Sequence, residues 1–164
     1  MDTSDGSKVA GTAFTLVLHI LQVGERACTP LPGATVDIWH CDAAGIYSDI
    51  AAEGTTGKNF LRGYQVTNRG GIVKFTTVLP GWYQGRTVHT HVKVQTTGTD
   101  GNPYEFTSQI YFTEEFKAAY RRVHRNADGL TAAPSPGNPG ARASFSCARR
   151  ERRTCGSSGR RRRR

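Results

Sequence analysis

Apolar residues recur at every second position in short runs between residues 11 and 112, and Gly, Pro, Asn and Asp collect between the runs. TAFTLVLHILQV (12–23) puts Phe14, Leu16, Leu18 and Ile20 on one face, and ATVDIWH (34–40) sets Val36 and Ile38 against Asp37 and Trp39. Further runs follow at LRGYQVTN (61–68), IVKFTTVL (72–79), RTVHTHVKVQT (86–96) and YEFTSQIYF (104–112), with RGG (69–71) reading as a hairpin turn between the first two. A period of two marks a strand with one buried face. Short strands punctuated this often predict an all-β protein, a β-sandwich core of mostly antiparallel strands. The exception is TEEFKAAYRRVHR (113–125), which reads as a helix with Thr113 as its N-cap and Glu114 and Glu115 in the first turn.

Composition changes at residue 126. TAAPSPGNPGARASFSCARRERRTCGSSGRRRRR (131–164) has almost nothing to bury, so the chain divides into a domain over 1–125 and a Pro/Gly/Arg-rich tail over 126–164. The tail is read as disordered, or as the product of a frameshift or truncation. Charge follows the same division. Through residue 120 there are 9 Lys/Arg against 11 Asp/Glu, and from 121 onward 13 Arg against 2 acids. The net charge of +9 therefore comes from the residues after 120. Between Arg125 and Arg164 the one aromatic is Phe145, so the stacking platform of a single-strand nucleic-acid binder is missing and no specific nucleic-acid partner is expected. No run is long enough to span a membrane, and nothing at the start reads as a secretory signal. Among four cysteines there is no CxxC pair. Cys28 and Cys41 are open to two readings, a disulfide or two thiols.

Candidate chemistry lies in PGWYQGRTVHTHVKV (80–94). On a strand, His89, His91 and Lys93 share one face while Val88, Thr90, Val92 and Val94 take the other. The apolar face can anchor the strand and leave two imidazoles side by side, as a chelating pair requires. Histidines on a solvated strand face would give the same letters. Tyr83 stands six residues before His89, and Tyr47 follows the turn after WHCDAAGI (39–46). Phenol ionises near pH 10, so it serves as an anionic ligand at neutral pH only beside a strong Lewis acid. Two phenolates with two imidazoles suit a hard trivalent ion better than zinc, which points to Fe(III).

The segments PLPGATVDIWHCDAAGIYS (31–48), FLRGYQVTNRGGIVKFTTVLPGWYQGRTVHTHVKV (60–94) and FTSQIYFTEE (106–115) resemble the intradiol ring-cleavage dioxygenases, the family of catechol 1,2-dioxygenase and protocatechuate 3,4-dioxygenase. The resemblance implies a β-sandwich and a non-haem Fe(III) cofactor. It implies Tyr47, Tyr83, His89 and His91 as metal ligands, with Tyr47 permanent and Tyr83 displaced by substrate to take a proton. Arg86 is implied to face the bound ring, with Gln109 beside it. The implied partners are a catechol-type diol and O2, the product being a muconate-type diacid; the motifs do not choose among diols, and a homo-oligomer is left open. Two departures accompany the resemblance: almost no lead-in precedes the first core strand, so no N-terminal helical dimerisation segment is expected, and the arginine tail replaces the closing strands. An unclosed sandwich would leave apolar surface and an unpaired edge. Two other readings compete, a non-catalytic β-sandwich binding module and a zinc hydrolase completing the HxH pair with Asp42 or Asp49.

Overall fold

In the computed structural model, residues 6, 8–24, 26–98, 100–113, 115, 116, 118 and 119 are described. Their strands are β1 (Ala13–His19), β2 (Leu21–Val23), β3 (Cys28–Pro30), β4 (Thr35–Trp39), β5 (Arg62–Val66), β6 (Ile72–Val78), β7 (His89–Thr97) and β8 (Pro103–Tyr111), with a 3-10 turn at Ala51–Glu53. Strands β5, β4, β7 and β8 form one antiparallel sheet in that order, β1 pairs with β6, and β2 pairs with β3. Phe14, Leu16 and Leu18 from β1 and Val73 and Phe75 from β6 meet Val36, Ile38, Val92, Val94 and Ile110 of the four-stranded sheet in one buried cluster. This is the sandwich that the alternation predicts: every core residue named is on the apolar phase of its strand. Among the described residues, no helix is long and apolar enough to cross a membrane.

The structure redraws several expected elements. The run 12–23 is two strands, because at Ile20 the chain leaves β6; the Ile20 N–H donates to the Gly71 carbonyl at 2.8 Å, and β2 then pairs with β3. The expected hairpin around 69–71 is not a hairpin. Its turn is tight, with the Asn68 carboxamide oxygen accepting from the Gly70 and Ile72 N–H groups, yet β5 pairs with β4 and β6 with β1. The turn therefore crosses between the two sheets, and Gln65 bridges the gap. Its side-chain amide donates to the Lys74 carbonyl at 2.7 Å and accepts from the Lys74 N–H at 3.1 Å, standing in for a ladder partner that β6 lacks on that side among the described residues. The expected strand 86–96 begins only at His89, since Arg86 belongs to a turn whose N–H reaches the Tyr83 carbonyl at 3.4 Å.

Thr113 caps as expected, its hydroxyl accepting the Phe116 N–H at 3.2 Å, and residues 115, 116, 118 and 119 are helical. Phe116 stacks on Phe112 and tilts against Phe14, which ties this turn to the core. The remainder of the expected 113–125 helix, the tail 126–164, Cys147 and Cys155 lie outside the described residues. The Cys28–Cys41 bridge is not made. Cys41 is a free, buried thiol whose S–H points to the Gly81 carbonyl at 3.5 Å, between the two loops that follow β4 and β6. Strand β8 has no neighbour beyond β7 among the described residues, and Tyr104 and Phe106 on it are 57% and 50% exposed.

Candidate metal centre

Alternation along β7 puts His89 and His91 on the face away from the core, with Thr90 and Val92 turned inward. The same face receives Gln109 and Tyr111 from β8, which pair with His91 and His89, and Trp39 from β4, which pairs with His91 on the other side. The Trp39 indole lies parallel to the His91 ring, 4.8 Å between centroids and 3° between planes. It holds one imidazole at the angle the strand gives it. His89 is buried, its ring 5.9 Å from that of Tyr83 and 6.0 Å from that of Tyr111.

Two loops bring the phenols over this pair. The loop after β4 is shaped by Asp42, whose carboxylate accepts the Ala44 and Ile46 N–H groups at 2.8 and 2.9 Å. Beyond it Tyr47 is clamped through its backbone: its N–H donates to Glu53 at 2.6 Å and its carbonyl accepts from the Thr55 hydroxyl at 2.6 Å. Arg62 on β5 donates to both the hydroxyl and the carbonyl of Ser48 at 2.8 and 3.0 Å, pinning the next residue. The second loop, from Pro80 to Thr87, lies against the first at a backbone-to-backbone approach that only glycine allows. A Cβ on Gly81 would sit 2.4 Å from the Ala43 carbonyl oxygen, and one on Gly45 would sit 2.7 Å from that of Trp82. His40 supports the junction from below, donating from Nδ1 to the Cys41 carbonyl at 2.7 Å and accepting from the Thr77 hydroxyl at 3.0 Å.

The result is a cluster of four donor atoms. From His89 Nε2, the Tyr47 hydroxyl is 3.2 Å away, the Tyr83 hydroxyl 3.4 Å and His91 Nε2 3.2 Å. His89 Nδ1 lies 2.7 Å from the Thr87 carbonyl, which can only accept, so the ring proton is on Nδ1 and Nε2 offers its lone pair to the cluster. Burial, reinforced by the neighbouring His89 and Arg86, lowers the His91 pKa from its usual 6.5 to about 4, so this ring is neutral at neutral pH. Burial also pushes the Tyr47 phenol well above its usual value, with the Tyr83 hydrogen bond adding to the effect. In the absence of a cation Tyr47 is a neutral phenol. Beside the cluster, an open cavity of about 370 Å³ is lined by His91, Thr107, Ser108, Gln109 and Tyr111. Arg86 reaches over from the turn before β7, donating to Gln109 Oε1 at 2.8 Å.

All six residues singled out from the sequence thus lie in one place. The carboxylates that a zinc hydrolase would need do not join them: Asp42 caps its own loop, and Asp49 accepts the Gly57 N–H at 2.9 Å. Among the described residues, no group of three His, Cys, Asp or Glu is arranged to hold a metal. Sequence reasoning missed Tyr111, Trp39, Glu53 and Arg62. Tyr111 and Trp39 could have been found, since Tyr111 is two residues beyond Gln109 on the same strand face and Trp39 is on the polar phase of β4. Glu53 and Arg62 act through contacts that carry no spacing signal.

A family model described as Dioxygenase matches residues 3–115. Catechol 1,2-dioxygenase of Acinetobacter baylyi is 28% identical over 155 residues, covering 78% of this chain and 49% of its own length. The chain thus spans about half the length of that curated relative. Among solved structures, an intradiol ring-cleavage dioxygenase from Tetranychus urticae is similar at a TM-score of 0.58 and 34% identity, covering 71% of this chain and 62% of its own. The dioxygenase domain of a dioxygenase carbohydrate-binding fusion from Streptomyces sp. SirexAA-E is similar at 0.56 and 31%, covering 85% and 80%.

Proposed function

The chain belongs to the intradiol ring-cleavage dioxygenase family, and from that premise we propose that it is a non-haem Fe(III)-dependent enzyme that cleaves a catechol-type ring between its hydroxyl carbons, inserting both atoms of O2. The observation that carries the proposal is that two phenol oxygens and a second imidazole nitrogen gather around His89 Nε2. Donors about 2.0–2.1 Å from a shared metal and roughly 90–110° apart lie about 2.9–3.4 Å from one another, and the separations from His89 Nε2 are 3.2, 3.4 and 3.2 Å. The donor chemistry fits as well, because the Tyr47 phenol, which burial pushes above its usual pKa, ionises readily only against a strong, hard cation. When bound, Fe(III) supplies the charge that lets a catechol lose both protons and makes its ring electron-rich enough to react with O2.

The chain's own residues divide the remaining work. Tyr47, clamped at its N–H and carbonyl, holds its oxygen in place through turnover. Tyr83 sits in a loop with few constraints and is the phenol able to swing away as the diol enters, carrying off a proton from one substrate hydroxyl on its oxygen. His89 and His91 keep a fixed pair of nitrogens on a rigid strand. Arg86 offers a guanidinium to the oxygen on which negative charge grows as the ring loses aromaticity, and Gln109 orients that guanidinium. The cavity lined by Thr107, Ser108 and Tyr111 receives the part of the ring that points away from the ligands. To test this, metal-free protein is loaded with Fe(III), its visible spectrum is recorded, and O2 uptake is measured with a panel of catechols. A phenolate-to-iron charge-transfer colour and one O2 consumed per diacid formed are expected; a colourless protein that takes up no iron overturns the reading.

A further inference from the structure

One step along the strands from Trp39 and His91, the outer face of the four-stranded sheet carries Tyr64 of β5, Asp37 of β4 and Lys93 of β7 side by side, as the pairing of Asp37 with each neighbour requires. Opposite charges on directly opposed strand residues ordinarily meet. Here they do not. Lys93 Nζ turns the other way, to Glu105 Oε2 at 3.7 Å, and that carboxylate is itself held by the Gln95 side-chain amide at 3.0 Å. Among the described residues the Asp37 carboxylate has no ion pair, and its Oδ2 is buried without a hydrogen-bond partner. A carboxylate oxygen taken out of water with nothing to bond is costly, so a donor for Asp37 has to come from outside the chain. The way in is a cavity of about 290 Å³, lined by Asp37, Trp39, Arg62 and Lys93 with Ile38 and Gly63, close to the ~300 Å³ at which small-molecule sites begin. Arg62 commits Nε and Nη2 to Ser48, which leaves Nη1 as a spare donor. Tyr64, on the same face beside Asp37, is 68% exposed.

The charges select the ligand by elimination. An anion drawn to Arg62 and Lys93 is set against the Asp37 carboxylate, and an organic cation drawn to Asp37 is set against Arg62 and Lys93. An uncharged group that both donates and accepts suits all three. A hydroxyl is that group, and two on neighbouring carbons serve both sides at once, one donating to Asp37 while their oxygens accept from Lys93 and Arg62. Cross-strand neighbours stand about 4.5–5.5 Å apart at Cβ, within the reach of one diol. The open Tyr64 ring adds an apolar wall for a cyclic carbon skeleton. We propose that this cavity is a second binding site, for an uncharged ring bearing vicinal hydroxyls, the chemistry shared by a pyranose sugar and a catechol. It uses none of the six residues assigned to ring cleavage and stands apart from the ferric reading.

Ligand-observed NMR titrations of the full chain with methyl α-D-glucopyranoside, methyl α-D-mannopyranoside, catechol, inorganic phosphate and methylammonium test the site. Each is run on the wild type and on Asp37→Ala, so that only binding lost in the variant counts as binding at this cavity. Millimolar binding of a pyranoside or of catechol is expected, weakened about 10–100-fold in Asp37→Ala, the factor for a hydrogen bond to a charged group. A response to pyranosides alone identifies the ligand as a sugar, and a response to catechol alone identifies it as an aromatic diol. Phosphate or methylammonium held there more tightly than either diol overturns the proposal, as does the absence of any Asp37-dependent diol binding. Asp37→Asn has the same shape and keeps an accepting oxygen, so it should bind within about tenfold of the wild type; a loss as large as that in Asp37→Ala overturns the acceptor role. Lys93→Met leaves the acceptor in place and should weaken the same ligand about tenfold, and unchanged affinity there overturns the donor half of the site. Pyranoside binding is expected with and without iron, so failure of the ferric reading leaves this result standing.

Discussion

Two tyrosine loops meet over the same pair of histidines, and they are built to opposite standards. Around Tyr47 the backbone is tied to Glu53 and Thr55, the next residue is pinned by Arg62, and Asp42 caps the turn that leads in. Around Tyr83 the backbone bonds are a 3.4 Å turn contact to Arg86 and, two residues earlier, Gly81 donating to the Asp42 carbonyl at 2.8 Å. Preceding Trp82 is 61% exposed. On the ferric proposal the difference divides work that the residue type cannot: both are phenols, but only Tyr47 is tied at its N–H and its carbonyl, so Tyr83 would be the one to move. A site that must hold a metal and also admit a chelating substrate needs one constraint of each kind.

The largest effect expected from breaking this comparison comes from the ligands themselves. Tyr47→Phe should lose the ferric colour and retain iron more than 100-fold less tightly in a chelator titration, beyond the 10–100-fold typical of supporting residues. Tyr83→Phe should keep iron far better yet lose roughly 10²–10⁴-fold in kcat, the range for a positioned proton acceptor. Equal iron loss in the two variants would erase the division of labour. Arg86→Ala is expected to cost about 10²–10³-fold in kcat while leaving the metal-based spectrum of the substrate-free enzyme in place. Glu53→Gln sharpens the contrast from the fixed side. Weakening the Tyr47 clamp should lower iron affinity about tenfold and stability by about 1–2 kcal/mol in denaturant titration, whereas Gln84→Ala in the looser loop should change stability within about 0.5 kcal/mol.

The smallest effect is on acid stability. Burial is the leading cause that holds His40 below its ordinary pKa of 6.5 and His91 at about 4. An unfolded chain takes up protons at these rings near pH 6.5 while the folded, metal-free chain does not, so stability from this source is complete above about pH 6.5. It is expected to decline as acid is added, until near pH 4 the folded His91 also protonates. Denaturation midpoints measured across that interval check the sign; a midpoint rising toward acid contradicts it.

Much of the fold was legible because period-two alternation is a local signal: Phe14, Leu16, Leu18, Val36, Ile38, Val92 and Val94 all turned inward as their phase required. Pairing was less legible. The Asn68 turn looks like a hairpin from its letters, and only the commitment of β5 to β4 and of β6 to β1, both long-range facts, makes it a crossing. For the site, spacing put His89 and His91 on one face and the family motif named their companions, but the order of constraint between Tyr47 and Tyr83 depends on Glu53, Thr55 and Arg62. None of these reaches the Tyr47, Tyr83, His89 and His91 cluster, and only contact in three dimensions gives them a role. Arg86 was read as a strand residue. Its place in a turn is what lets it reach sideways to Gln109.

Trp39 has a use beyond packing. Its indole lies flat against the His91 imidazole, while the chain's other tryptophan, Trp82, stands largely in water. The two emit from different surroundings, and a coloured ion at the cluster drains excitation first from the nearer, shielded one. On the ferric proposal the protein would carry its own occupancy gauge: the blue component of its fluorescence should dim as iron enters and recover as a chelator removes it, without any label.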